Sequence, residues 1–600
     1  MYYMRIFLLL FFIIGFTPAF AQTADWQTDY EKSELKATPR YNETVKFINR
    51  LDALSNEISV GEFGVSPEGR PLLFVVYDKQ GFTEPAKIRE RGRIILFVQA
   101  AIHPGESEGK DAMLQLLRDV AVYGIGKDLF EHVSLLFIPI FNVDGHERFG
   151  AYGRINQNGP AEMGWRTTAQ NLNLNRDYLK AAAPEMQAWL GLYNKWQPEF
   201  FIDTHTSDGA DYQYVITYAL ETGGQMDNDL TNWQNEVYLP QLEKLMDKAG
   251  FPLFPYVSFR KWHDPRSGLV SGVASPMFSQ GYTAVRNRPG LLVETHMLKP
   301  YQLRVKSTRE IIESSLKILN SNTIQLSNLI KTADQFAASD AFREEPFALR
   351  YQVDMTDSSM VTFKGVAYDK KVSDLTGGDW FVYDNKKPVD YILPLFDKNI
   401  PVASTKLPAA YIIPAAWQEV IGKLLLHGVE MYPLEESTLI DCEIYFFKEV
   451  DFQKSSYEGR QRLARLGVET KQQTRAFPRG SFVVPMNQRL SRLIAMMLEP
   501  EASGSLVEWG YFNIVFEQKE YAETYVMEPL ARKMLDSIPG LRETYEAKKN
   551  SDKSFAESQW LQLNWFYSQT PWWDEQYMRY PIGRIMQKAA IPTGQLREDQ

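Results

Sequence analysis

The sequence predicts an α/β fold for the first half of the chain and an α+β accessory region for the rest. From about residue 90 to 335, short apolar runs of strand length alternate with segments of helical periodicity. Such alternation is typical of a largely buried sheet covered by helices. Beyond about residue 345 the chain becomes rich in Val, Thr, Tyr and Phe with turn residues between them, which indicates β-structure.

The elements of the first half occur in the order that such a fold requires. Apolar runs predict strands at 93–100, 133–141, 200–203 and 290–294. Helical patterns cover 107–123, 184–196, 229–249 and 302–330. In the first of these helices one face carries the apolar side chains and should pack on the sheet: Met113, Leu116, Leu117 and Val120.

The second half is predicted to be β-rich first and helical later. The β-structure covers 355–391, and the polar segment 448–482 is either a hairpin or a longer β segment. Helices are expected at 417–427, 488–498 and 519–549, and a linker at 338–345. We therefore expect three parts: a short N-terminal segment (1–21), a first domain (22–340) and an accessory region (345–600).

The first 21 residues have the form of a secretory signal peptide. A short start containing Arg5 precedes the apolar run 6–16, and Ala19 and Ala21 stand where a signal peptidase reads small residues. The run is short for a membrane span of about 20 residues, so we expect cleavage and no stable membrane insertion afterwards. Cys442 is the only cysteine, so no internal disulfide is expected. Export with so little cysteine favours a bacterial protein, periplasmic or extracellular.

The formal net charge of −10 argues against one class of partner. Nucleic-acid binding needs basic surface to neutralise phosphates, and the sequence has no Lys/Arg cluster that would provide it. We therefore expect no nucleic-acid partner. Oligomeric state is not encoded in any pattern that we recognise.

Two of the seven histidines stand at predicted strand ends. His103 and Glu106 come after the strand at 93–100, and His205 comes after the strand that starts at Phe200. In an open α/β sheet, ligands bind beyond the carboxyl ends of the strands. Two histidines and one glutamate, with water in the fourth position, make the ligand set of a catalytic zinc site. Such a metal activates its water and polarises a carbonyl.

The order of these and further pieces resembles the zinc carboxypeptidase family, the carboxypeptidase A-like metallopeptidases called funnelins. The resemblance covers roughly residues 40–330. It rests on pieces that occur in the family's order: His103 with Glu106, Trp165-Arg166, Asn175-Arg176, His205 and Glu294. Asn142-Val143-Asp144-Gly145 is also similar to a turn of the family. The resemblance implies a mixed sheet flanked by helices and makes the first domain (22–340) the zinc peptidase catalytic domain.

The resemblance also implies a role for each piece. His103, Glu106 and His205 would bind one Zn²⁺ per chain. Glu294 would be the general base, and Arg166 would stabilise the oxyanion.

The remaining implied roles concern the substrate, a peptide with a free C-terminal carboxylate. Asn175 and Arg176 would bind that carboxylate. Tyr282 is the candidate for the tyrosine that closes over the substrate.

This sequence departs from the family pattern at two positions beside the site. Where members often have a second arginine, three residues past Arg166, this chain has Ala169. Where they often have an aspartate behind a zinc-binding histidine, it has Asn173, a weaker acceptor. Glu108 lies close enough to Glu106 to compete as a ligand, although the spacing favours Glu106.

Three functions remain open at this point. The first is a metallocarboxypeptidase, which Asn175-Arg176 favours. The second is a zinc amidase or deacylase acting on cell-wall peptides or N-acyl amino acids, which an envelope location and Ala169 keep in play. The third is a binding protein without catalysis, against which the presence of Glu294 argues.

Overall fold

The computed structural model describes residues 25–592, so the expected signal peptide lies outside the described residues. The strands in this range are β1 (Ile58–Val65), β2 (Pro71–Tyr77), β3 (Ile94–Gln99), β4 (Val133–Ile138), β5 (Phe200–Ser207), β6 (Ile216–Ala219), β7 (Ser258–Lys261), β8 (Asp264–Val270), β9 (Gly290–His296), β10 (Pro346–Val353), β11 (Ser359–Val372), β12 (Asp379–Phe396), β13 (Asn399–Lys406), β14 (Ala410–Ile413), β15 (Tyr432–Pro433), β16 (Thr438–Phe452), β17 (Leu463–Phe477), β18 (Phe482–Pro485) and β19 (Gly583–Ile585).

The α-helices of the same range are α1 (Asp29–Lys32), α2 (Tyr41–Leu54), α3 (Pro85–Glu90), α4 (Glu108–Tyr123), α5 (Val143–Glu147), α6 (Pro184–Trp196), α7 (Asn228–Trp233), α8 (Leu239–Lys248), α9 (Ser279–Ala284), α10 (Tyr301–Ala337), α11 (Asp340–Glu344), α12 (Gln418–Leu426), α13 (Ser491–Leu498), α14 (Thr524–Ser537), α15 (Leu541–Ser551), α16 (Lys553–Glu557) and α17 (Gln559–Tyr567). A π-helical turn (Gln234–Tyr238) joins α7 to α8, and a 3-10 turn (Leu174–Arg176) precedes α6.

The predicted α/β fold is confirmed by a seven-stranded mixed sheet in the order β1-β2-β4-β3-β5-β9-β6. Its centre is parallel, because β3 pairs in parallel with β4 and β5, and β5 pairs in parallel with β9. The carboxyl ends of β3, β5 and β9 therefore meet at one edge of the sheet. The flanking pairs β1/β2, β2/β4 and β6/β9 are antiparallel.

Each face of this sheet is covered by its own hydrophobic core. Alternate side chains of β3 point to opposite faces, so that Leu96 belongs to one core and Phe97 to the other. The first core contains the apolar faces of α2, α4, α7, α8 and α10, including the predicted stripe on α4. The second contains Trp189 of α6 together with Leu493 of α13, which belongs to the accessory region.

The accessory region is continuous with the first half of the chain in both sheet and core. Its strand β12 pairs in parallel with β8 through Leu395↔Leu269, which makes one four-stranded sheet, β11-β12-β8-β7. The expected linker at 338–345 holds the short helix α11. The change in composition near residue 340 therefore marks a change in secondary structure. It does not mark a boundary between two separately packed domains, because the sheet and the second core contain residues from both sides of it. The segment 448–482 is a hairpin, since β16 pairs antiparallel with β17.

Among residues 25–592, no helix combines the length and the apolar character that a membrane crossing requires.

Candidate functional site

His103, Glu106 and His205 lie together at the carboxyl edge of the central sheet. His103 and Glu106 stand on the loop after β3, which folds back on itself because the Glu106 N–H donates to the His103 carbonyl at 2.8 Å. His205 lies within β5, the neighbour of β3. One potential ligand atom from each residue lies within 4.8 Å of the other two, and all three residues are buried.

The orientation of both imidazoles suits a metal. The Nδ1 atoms of His103 and His205 face the Glu106 carboxylate at 3.2 and 3.1 Å. The His103 Nδ1 has no hydrogen-bond partner in the described chain, although it is buried. Burial lowers the pKa of His103 to about 4, so this ring is neutral at pH 7, which is the form that binds a metal. Burial acts in the same direction on His205, but the charge of Asp203 raises its pKa well above the ordinary value, so zinc binding there would displace a proton. The residues present therefore fit a zinc ion.

The opposite nitrogen of each ring lies close to a side-chain oxygen. The Nε2 of His103 lies 2.9 Å from Asn173 Oδ1, and the Nε2 of His205 lies 3.0 Å from Asp203 Oδ2. Such contacts place the ring proton on Nε2 and leave Nδ1 free to bind a metal. Asn173 thus lies where the family resemblance places it. Asp203 was missed, although its position two residues before His205 on the same strand would place both side chains on one face.

Glu294 lies on β9 directly opposite His205 in the parallel register of β5 and β9. Its side chain is 8% exposed, and its Oε2 has no hydrogen-bond partner in the described chain. Burial raises the pKa of Glu294 to about 8, although the neighbouring His205 acts in the opposite direction. A carboxyl group of raised pKa beside a candidate metal site can exchange a proton near neutral pH.

Two arginines reach the Glu106 carboxylate. Arg166 Nη1 lies 3.4 Å from Oε1, and its side chain is 40% exposed, so it faces the cleft. Arg154 Nη2 lies closer, at 2.8 Å, and its side chain is nearly buried. Arg154 was not predicted, because no motif marks it. Glu108 points elsewhere and pairs with Arg304 at 2.9 Å, which removes it as a competing ligand.

Asn175 and Arg176 lie on the 3-10 turn directly after Asn173. The Asn173 Oδ1 also accepts the Asn175 N–H at 3.1 Å, so one side chain orients His103 and shapes this turn. Asn175 is buried and its Oδ1 has no hydrogen-bond partner in the described chain. The Arg176 guanidinium lies 4.6 Å above the Phe278 ring, and its Nε donates to the Tyr457 hydroxyl at 2.9 Å. Tyr457 belongs to the accessory region.

Tyr282 is not in the cleft, which corrects the expectation from sequence. It is fully buried in α9, and its hydroxyl lies 2.8 Å from His427 Nδ1 and accepts from Arg286 at 2.7 Å. A different tyrosine, Tyr256, is partly exposed near the site, and the charge of Glu294 raises the pKa of its hydroxyl. Tyr256 lies in an irregular segment before β7, where the sequence carries no signal for it.

A cavity of about 610 Å³ adjoins these residues. Phe278 lines it and also carries the Arg176 guanidinium, so the cavity lies beside Arg176. Its wall is formed by residues from the first half of the chain and by three from the accessory region, Leu395, Asp397 and Asn399. Within the described chain the wall contains the carboxylates of Glu221 and Asp397 and no Lys, Arg or His.

The same residues lie within a segment that is similar to known proteins. Residues 44–247 match the sequence profile of the zinc carboxypeptidase family. The chain contains a zinc carboxypeptidase domain. The match includes His103, Glu106 and His205 and ends before Glu294, which the structure brings to the same place through β9.

Two curated relatives extend the similarity beyond this zinc carboxypeptidase domain. Carboxypeptidase 2 of Trichophyton rubrum is 23% identical over 518 residues, which are 83% of this chain and 88% of that protein. Carboxypeptidase 2 of Trichophyton equinum is 23% identical over 467 residues, 75% of this chain and 79% of the relative. Because these alignments span 518 and 467 residues, more than the 344 residues that precede the accessory region, the accessory region takes part in the similarity. These relatives are fungal and give no support to the expected bacterial source.

Solved structures with partial similarity carry related names. Carboxypeptidase A of Helicoverpa armigera covers 49% of this chain and 74% of its own, with a TM-score of 0.35 and 14% identity. A metallo-carboxypeptidase of Burkholderia cenocepacia covers 47% and 69%, with a TM-score of 0.34 and 15% identity.

Proposed function

We propose that this protein is an exported zinc metallocarboxypeptidase that hydrolyses a peptide bond near the C-terminus of its substrate. The observation that carries the proposal is the convergence of His103, Glu106 and His205 at one strand edge, with Glu294 opposite His205. Export rests on the signal-peptide form of residues 1–21.

His103 and His205, through Nδ1, and the Glu106 carboxylate would hold one Zn²⁺. When bound, the ion supplies a Lewis acid that polarises the scissile carbonyl and lowers the pKa of water. Asn173 and Asp203 keep the two rings in the orientation that this requires.

Glu294 serves as the general base in this proposal. Its carboxylate accepts a proton from the attacking water and returns it to the nitrogen of the leaving amine. Arg166 faces the cleft beside Glu106, where its charge stabilises the negative charge that develops on the carbonyl oxygen. Arg154 holds Glu106 from the buried side.

At the other end of the cleft, Arg176 and Asn175 would bind the terminal carboxylate of the peptide. The cavity beside Arg176 would receive the terminal side chain. Tyr256, which lines this cavity and whose pKa is raised by the charge of Glu294, would be available to the substrate in place of Tyr282.

The test is zinc content together with hydrolysis of a blocked dipeptide, offered as the free acid and as the C-terminal amide, before and after chelation. The proposal expects one zinc per chain, chelator-sensitive release of the terminal residue, and loss of release on amidation. Zinc with cleavage of acyl amides but not of free-acid peptides would favour the amidase, and a chain without zinc would contradict the ligand assignment.

A further inference from the structure

The hairpin of β16 and β17 in the accessory region reaches the carboxylate-binding end of the cleft with its tip. We call the connection between the strands, residues 453–462, the accessory loop. Its tip is a two-residue turn in which Tyr457 and Arg460 exchange both backbone hydrogen bonds, at 2.9 and 3.0 Å. The two central residues have positive φ, +49° for Glu458 and +74° for Gly459, as tight hairpin turns require.

Glu458 is unusual in such a turn because side chains other than Gly, Asn and Asp rarely adopt positive φ. Its carboxylate accepts the backbone N–H of Asn173 at 2.8 Å. Asn173 is the residue whose side chain contacts His103 and whose neighbours are Asn175 and Arg176. Glu458, in its strained conformation, therefore fixes the backbone of Asn173. The Asn173 side chain in turn orients His103 and shapes the turn that carries Arg176.

Tyr457 is fixed from two sides and still faces the cleft. Its ring stacks on the buried Trp509, with centroids 6.1 Å apart and planes 13° apart, and it is 39% exposed. Its hydroxyl oxygen accepts from Arg176 Nε at 2.9 Å. A phenol that accepts one hydrogen bond still has its own proton to donate. Among residues 25–592, no side chain or carbonyl accepts that proton.

Arg176 has N–H groups that can still donate to a ligand. Its Nε is bound by Tyr457 and its Nη1 donates to the Asn175 carbonyl at 2.6 Å. The guanidinium pairs with no carboxylate in the described chain. A carboxylate placed on Arg176 would therefore meet a guanidinium already held in place and a phenol O–H beside it.

We propose that Tyr457 of the accessory region is a substrate-binding residue. It orients Arg176 and donates its hydroxyl proton to the terminal carboxylate of the peptide, so that the accessory region completes this subsite. The inference rests on the proposed function and gives the accessory region a part in it.

The test compares Tyr457→Phe with the unaltered zinc-loaded enzyme, using a blocked dipeptide as free acid and the same peptide as amide. Phenylalanine keeps the stack on Trp509 and removes the hydroxyl. We expect KM for the free acid to rise about tenfold with kcat within about twofold, since one hydrogen bond to a charged group is lost. The inhibition constant of the amide should not change. Tyr525→Phe, an exposed tyrosine of the same region, is the matched control.

A double-mutant cycle separates this role from general packing. In an Arg176→Gln background, Tyr457→Phe should change KM by less than about twofold, because the two residues act on one carboxylate. An unchanged KM in Tyr457→Phe, an equal weakening of acid and amide, or full additivity with Arg176→Gln would each overturn the inference alone. If the unaltered enzyme showed no chelator-sensitive hydrolysis of free-acid peptides, the proposed function itself would fall, and the inference with it.

Discussion

The two ends of the cleft are built in different ways. At the metal end, His103, Glu106 and His205 come from one loop and one strand of the central sheet, and all are buried. At the carboxylate end, Arg176 stands on a 3-10 turn, is partly exposed, and is held by Tyr457 from the accessory region. The proposed metal-binding end thus takes its ligand side chains from the zinc carboxypeptidase domain, whereas the proposed carboxylate-binding end also takes a side chain from the accessory region.

This difference separates two properties of the enzyme. Substitution of the side chains that contact the imidazoles of His103 and His205 should change the metal affinity. Substitution of Arg176 or its hydrogen-bond partners should change the preference for a free C-terminus. The two ends are linked through Asn173, whose side chain contacts both His103 and the Asn175 N–H and whose backbone N–H donates to Glu458. Substitutions at the two ends can test whether the properties separate in practice.

The largest effect at the carboxylate end should result from Arg176→Gln. Loss of a bidentate charge-assisted contact should lower kcat/KM for free-acid peptides by about a hundredfold, or ~2.7 kcal/mol. The zinc content should stay at one per chain. Arg532→Gln, an exposed arginine remote from these contacts, is the control. An equal loss on peptide amides would show that Arg176 does not read the carboxylate.

A smaller effect should result from substitution of the two residues that lie beside the Nε2 atoms of His103 and His205. Asp203→Ala should weaken zinc binding about tenfold or more, and Asn173→Ala should weaken it less, because a neutral amide polarises its histidine less than a carboxylate does. Competition with a chromogenic chelator measures both affinities. A larger loss of zinc affinity in Asn173→Ala than in Asp203→Ala would contradict this expectation.

The smallest of the expected effects concerns the pH dependence of kcat/KM. Glu294 must be ionised to accept a proton, so activity should fall as pH drops through its pKa. Burial places that pKa at about 8 before a metal is bound, and a bound cation lowers it. The acidic limb of kcat/KM should therefore have its midpoint between 4.5, the ordinary value, and 8. A midpoint at or below 4.5 would mean that another group sets the limb.

Much of the metal end could be predicted from sequence because strand ends are local features. The apolar runs before His103 and His205 predict buried parallel strands, and the residues at the carboxyl ends of parallel strands lie at one edge of the sheet. Asn173 was found through the family resemblance, by its position shortly before the Asn175-Arg176 pair. Arg154 was missed because its approach to Glu106 depends on a long irregular segment without periodicity.

The carboxylate end was less predictable because its partners are remote in the chain. The contact of Tyr457 with Arg176 depends on where a hairpin of the accessory region packs, which strand patterns do not specify. Tyr282 was misplaced for a related reason: the sequence around it does not reveal that every residue of α9 is buried, with Tyr282 in the second core and Ala284 in the first. Burial between layers results from the tertiary arrangement, and no local pattern encodes it.

The most direct test of the account is to measure zinc content and turnover in one preparation of Glu294→Gln. Glutamine keeps the shape of the side chain but cannot act as a base at neutral pH. We expect one zinc per chain, as in the unaltered protein, and a kcat lower by about a thousandfold, which is within the range for loss of a general base. Unchanged turnover with zinc in place would contradict the assignment of Glu294 and, with it, the proposed mechanism.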